Sequence, residues 1–147
     1  MPIVRLKTDA NPYAPIAWQT SVAALTLEKL RKWKHPRLAE LEALQAVGTQ
    51  MDLFSKAAQS DLDDVSEEPR LRSSFFALRA IRGESRTPPI KPPQFKKAGE
   101  DIRAIHDAYM RTRDPKELDR NALDAAQDLC LELLEHLNKL RPNPSLR

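Results

Sequence analysis

The chain predicts an all-α protein of about five helices, arranged as one bundle or as two helical modules joined by a proline-rich spacer. Three observations carry this prediction. Three glycines stand against twelve prolines in 147 residues, too few for the tight turns of a sheet-rich fold. Apolar residues recur at steps of three and four along most of the chain. A balance of 41% apolar and 31% charged residues suits a packed core under a solvated surface and argues against broad disorder. The length falls in the range of a single domain, about 100 to 200 residues.

Residues 1–15 carry Pro2, Pro12 and Pro15, each biasing its predecessor toward extended geometry. An N-terminal arm is expected there, with Ile3, Val4 and Leu6 able to dock it. From Ile16 the period becomes helical, and residues 16–86 read as a module of three helices. Trp18, Val22, Leu25 and Trp33 share one side of the first helix, with Ile16, Ala23, Leu27 and Leu30 beside them and Glu28, Arg31 and Lys32 on the remaining arc. So wide an apolar arc predicts burial on two sides. Pro36 ends this helix and starts the next, because proline lacks the N–H an interior position needs yet suits a first turn. The second helix is expected from about Pro36 to Gln59, with Leu41, Leu44, Val47, Met51, Phe54 and Ala58 inward. Gly48 within it costs about 1 kcal/mol relative to alanine and points to a close helix crossing.

The acidic stretch from Asp61 to Glu68 forms a connection and a negatively charged approach to a third helix. That helix carries Leu71, Phe75, Leu78 and Ile81 and ends near Arg82 and Gly83. Four prolines in six residues (Pro88, Pro89, Pro92, Pro93) predict a stiff extended spacer over residues 87–95. A C-terminal helical hairpin is expected over residues 96–141. Its first helix places Ala98, Ile102, Ile105 and Tyr109 on one face. Asp114, Pro115 and Glu117 then supply a cap oxygen, a first-turn proline and an acidic third position, so the second helix is expected to start at Pro115. Leu118, Ala122, Ala126, Leu129, Leu133, Leu137 and Leu140 follow an eleven-residue period that favours a nearly straight rod, and residues 142–147 read as a tail.

Local arrangements that create chemistry are missing from the sequence. His35, His106 and His136 never fall three or four residues apart, none follows a glutamate at the E-x-x-H spacing of a helical metal site, and Glu132, four before His136, reads as an ordinary helix contact. The run Asp61, Asp63, Asp64, Glu67 and Glu68 has Ser66 where a calcium loop needs glycine and Arg72 where it needs glutamate. Cys130 is a lone cysteine on an apolar helix face, which reads as a small core residue. No catalytic residue, metal ligand or cofactor is assigned, and the expectation is a protein that is not an enzyme. The start MPIVRLK lacks the apolar run of a secretory signal, and no window approaches the roughly 18 apolar residues of a membrane span. A soluble, cytoplasmic chain without membrane contact is expected.

Charge placement is the most informative functional feature. The chain holds 24 basic and 21 acidic residues, a net charge of +3, yet residues 69–99 carry eight basic residues against one acidic. That segment supplies Arg72, Arg79, Arg82, Arg86, Lys96 and Lys97. A second cluster, Lys29, Arg31, Lys32, Lys34 and Arg37, surrounds Trp33 at the first helical corner. Cations beside an aromatic ring suit nucleic acid, neutralising phosphates and stacking on a base. The competing reading is internal pairing, with Arg72, Arg79 and Arg86 forming a stripe that faces Glu117, Asp124, Asp128 and Glu135. Arg86, Pro89 and Pro92 also match the pattern by which a polyproline helix meets an aromatic groove, though a spacer is its ordinary role. The sequence therefore favours a non-catalytic helical interaction protein, an adaptor or small subunit of a larger assembly, with a protein partner or self-association. The alternative is an accessory subunit that binds nucleic-acid backbone through its basic helix faces.

Overall fold

The computed structural model describes residues 13–65, 67–84 and 90–140, and within them helices begin at residues suited to a first turn. Pro15 lies in the first turn of α1 (Ala14–Arg31), where a missing N–H removes no helical bond. At the start of α2 (Leu38–Ala57) the Glu40 carboxylate reaches back to accept from the Arg37 backbone N–H at 2.7 Å. A single turn, α3 (Leu62–Val65), precedes α4 (Pro69–Glu84). Pro92 and Pro93 open α5 (Pro92–Thr112), and Gln94 accepts from the Lys91 N–H at 2.8 Å. A 3₁₀ turn at Pro115–Glu117 leads to α6 (Arg120–Asn138), capped by Asp119, whose carboxylate accepts from the Asn121 and Ala122 N–H groups.

The chain is all-α, with no strand among the described residues. Helices α1, α2, α5 and α6 form an antiparallel four-helix bundle in which each packs on two neighbours: α1 on α2 and α6, α5 on α2 and α6. The Lys29–Glu40 pair joins the end of α1 to the start of α2. Phe54 against Phe95, ring centroids 5.1 Å apart, joins the end of α2 to the start of α5. Arg31 and Asp124 join the end of α1 to the start of α6. Helix α4 lies outside this square, packed on α2 and α3. One core runs through both halves of the chain, with Leu27, Leu44, Phe54, Phe95, Ile102 and Leu133 fully enclosed. Each such side chain contributes about 1.5–3 kcal/mol by leaving water.

The α2–α5 contact is close because both helices present glycine. A Cβ on Gly48 would lie 3.1 Å from Ile102 Cγ2, and one on Gly99 would lie 3.2 Å from the Gly48 carbonyl oxygen. The close crossing expected from Gly48 is present.

Four helices start elsewhere than the sequence suggests. Ala14 and Pro15 of the expected arm already belong to α1, and α2 starts at Leu38 with Arg37 as its cap rather than at Pro36. Pro92 and Pro93 belong to the first turn of α5, and Ile90 and Phe95 on either side are buried in the core. Proline forbids a helix interior but not its first turn, so the spacer pattern and the helix start coincide. Leu118 has extended backbone, which turns its side chain into the core and interrupts the expected long helix. Asp119 then caps α6 afresh, so the last helix begins at Arg120. The expected arm up to Pro12, the prolines at 88 and 89, Arg86 and the tail lie outside the described residues.

Candidate interaction surface

Helix α1 is apolar on two sides, and the bundle takes the side with the smaller residues. Thr20, Ala23, Ala24, Thr26, Leu27 and Leu30 are buried. The two threonine hydroxyls donate back to the Ile16 and Val22 carbonyls, each at 2.7 Å, so neither is left unsatisfied in the core. The opposite face points outward: Trp18 is 65% exposed and Leu25 58%, with half-buried Val22 between them. Burial of α1 on two sides, expected from its wide apolar arc, is therefore not what the bundle provides. Beyond Leu25 this outer face becomes cationic. Leu25, Glu28, Lys29, Lys32, Lys34 and Glu40 line a surface groove of about 340 Å³.

Part of the cationic corner is already paired. Lys29 Nζ lies 2.8 Å from the Glu40 carboxylate. Burial acts to raise the Glu40 pKa, but the Arg37 N–H and the Lys29 ammonium outweigh it and hold the carboxyl below its ordinary value. Arg31 Nε contacts Asp124 at 2.6 Å, and its Nη1 donates to Gln127 Oε1 at 2.5 Å. Trp33 leaves the helix in the left-handed region, φ 64°, and is 53% exposed. One face of its indole is covered by the Arg120 guanidinium, Cζ 3.9 Å from the ring centroid. Trp33 is thus neither a core residue nor a ring free on both faces. Lys32, Lys34 and Arg37 are exposed.

The second cationic set is spread over α4 and α5. Arg72, Arg79 and Arg82 are exposed on α4, and Arg79 lies over the Phe75 ring with Cζ 5.9 Å from its centroid. Arg72 has a partner of its own. Lys96 and Lys97 are exposed on α5, where Lys97 pairs with Asp101 at 3.0 Å, which raises the lysine pKa. The groove thus gathers Lys29, Lys32 and Lys34, while the α4 and α5 cations stand on other helices. Asp124 takes its cation from Arg31 on α1, whereas α4 packs on α2 and α3.

Two features escape a sequence reading. Arg120 closes the end of α1: its Nη1 donates to the Leu30 and Arg31 carbonyls, each at 3.2 Å, and its Nη2 to Pro115 O. Nothing in its spacing announces a contact ninety residues away. Leu131 is 49% exposed on α6, among the exposed carboxylates Asp128, Glu132 and Glu135; its break in the buried leucine series was the available signal.

Inside the bundle, burial pushes the Cys130 thiol up to about 12, so it is held neutral. His136 is also buried, with Nδ1 unpartnered beside a void of about 10 Å³ lined by Leu78, Ile81, Arg82, Ile90, Phe95 and Leu133. Among the described residues no three His, Cys, Asp or Glu side chains stand together as a metal site, and no helix is long and apolar enough to cross a membrane. No protein-family model, curated protein or solved structure matches the chain.

Proposed function

We propose that this protein is a non-catalytic helical interaction protein, an adaptor or small subunit of an assembly working in the cytoplasm, which docks through the outer face of α1. The observation that supports this reading is the outward placement of Trp18 and Leu25, two large apolar side chains seven residues apart on a helix whose inner face is already filled. Covering a side chain of this size contributes roughly 1.5–3 kcal/mol, and tryptophan is enriched where interfaces concentrate their binding energy. The neighbouring lysines add a cationic border that discriminates among partners by charge. The test is the variant Trp18→Ala/Leu25→Ala, compared with the parent for native mass and for proteins that co-purify from its own cells. The reading expects loss of the associated mass at unchanged helix content. Retention of every associated species would contradict it.

The alternative, a grip on nucleic-acid backbone, draws its support from the exposed Arg79 and Arg82 on α4 and from Lys32 and Lys34 at the corner. It expects salt-sensitive retention on DNA or RNA that falls when Arg79 and Arg82 become glutamate. Pairing of Lys29 and Arg31 with carboxylates, and the Arg120 guanidinium over Trp33, leave this reading second.

A further inference from the structure

We infer that the partner covering α1 is a second copy of this chain, seated across the side of the bundle formed by α1 and α6. The inference rests on the docking role just proposed for α1 and names its occupant. Helices α1 and α6 are antiparallel neighbours, and the Arg31–Asp124 contact fixes their relative height. Six residues back along α1 from Arg31 is Leu25; seven residues on along α6 from Asp124 is Leu131. At about 1.5 Å per residue the two leucines stand level to within about one helical turn. Both are exposed, one on each helix.

This arrangement is self-complementary. A two-fold axis running along the groove between α1 and α6 lays α1 of each copy over α6 of the other without changing height. Leu25 then meets Leu131 of the second copy, and the same contact recurs on the other side of the axis. One turn further on, exposed Lys32 of α1 comes to the stretch of α6 that carries exposed Asp128 in the second copy, while Lys29 stays with Glu40 and Asp124 with Arg31. The cationic end of one helix thus faces the acidic end of the other, whereas α1 laid on α1 would bring lysine toward lysine.

The available area is modest. Helices of 18 and 19 residues are about 27 Å long, and two side by side at roughly 10 Å each offer on the order of 1,100 Å² summed over both copies. That lies at the lower edge of specific interfaces, among weak and reversible pairs rather than obligate ones.

The experiment is sedimentation of the full chain across about 1 to 200 μM, a range that brackets micromolar affinity. The expected result is a mass rising from 16.7 kDa toward twice that value. Leu25→Glu and Leu131→Lys, each alone, are expected to weaken the dimer at least tenfold, and the double variant Leu25→Glu/Leu131→Lys to regain it, since each glutamate then meets a lysine across the axis. Both sites are on the surface, and helix content by circular dichroism verifies that each variant folds. A chain that stays monomeric, a dimer indifferent to both single changes, or a double variant that stays apart would overturn the inference. The docking role itself is read separately: a monomeric chain that loses a co-purifying protein on Trp18→Ala/Leu25→Ala keeps that role and loses the second copy, and one with no such dependence loses both.

Discussion

The guanidinium of Arg120, at the first position of α6, lies over the indole of Trp33, 3.9 Å from its centroid, and at the same time donates to the last carbonyls of α1. One side chain therefore supplies hydrogen bonds to a helix end and fixes the aromatic residue that terminates it. Arg120→Met keeps the stem but removes the donors and the cation, and is expected to destabilise the fold by about 1–3 kcal/mol in denaturant unfolding. Trp33 also carries a left-handed backbone, so Trp33→Gly should be more stable than Trp33→Ala by about 1 kcal/mol, because only glycine adopts that geometry without strain.

The α2–α5 crossing should be intolerant of volume. Gly48→Val places methyl groups against the stem of Arg103 and against Ile102, which is fully enclosed in the core. Overpacking of this kind costs roughly 1–3 kcal/mol, and a lowered thermal midpoint would show it. A gain in stability from this change would mean that the helices stand further apart than described.

Glu40 makes stability depend on pH. Its carboxyl is held below the ordinary 4.5 when folded, so its contribution is fully present above that value and is lost as pH falls through the folded pKa. Glu40→Gln should cost on the order of 1 kcal/mol at neutral pH and progressively less in acid, as unfolding curves at several pH values would reveal. A difference that stays constant from neutral pH down to below the folded pKa would contradict the Arg37 and Lys29 contacts.

Cys130, enclosed in the bundle and held neutral up to about 12, should resist thiol reagents in the native protein near pH 8 and react at once on unfolding. The rate of labelling would then report global opening rather than the chemistry of the thiol.

Much of the core was legible in the sequence because one apolar stripe faced one polar stripe. Leu44, Val47, Met51 and Phe54 on α2, Ile102, Ile105 and Tyr109 on α5, and Leu129, Leu133 and Leu137 on α6 are buried as their spacing predicts. Periodicity failed on α1 for a physical reason: with apolar residues on both arcs, spacing cannot say which arc turns inward. The bundle takes the small residues Ala23 and Ala24, which let neighbouring helices approach, and leaves Trp18 and Leu25 outside. Segmental charge located the cations correctly along the chain but not in space. Asp124 belongs to Arg31, and Lys29 to Glu40, by contacts that only the packed bundle creates.

The docking role of α1 requires Trp18 to face solvent in the lone chain and to be covered on association. In the Trp33→Phe variant Trp18 is the only indole, and acrylamide quenching of its fluorescence reads its accessibility directly. Quenching should be strong in dilute protein and fall as concentration rises through the micromolar range. A Trp18 already shielded in the monomer, or one equally open at every concentration and in the presence of every co-purified protein, would contradict the docking role of α1.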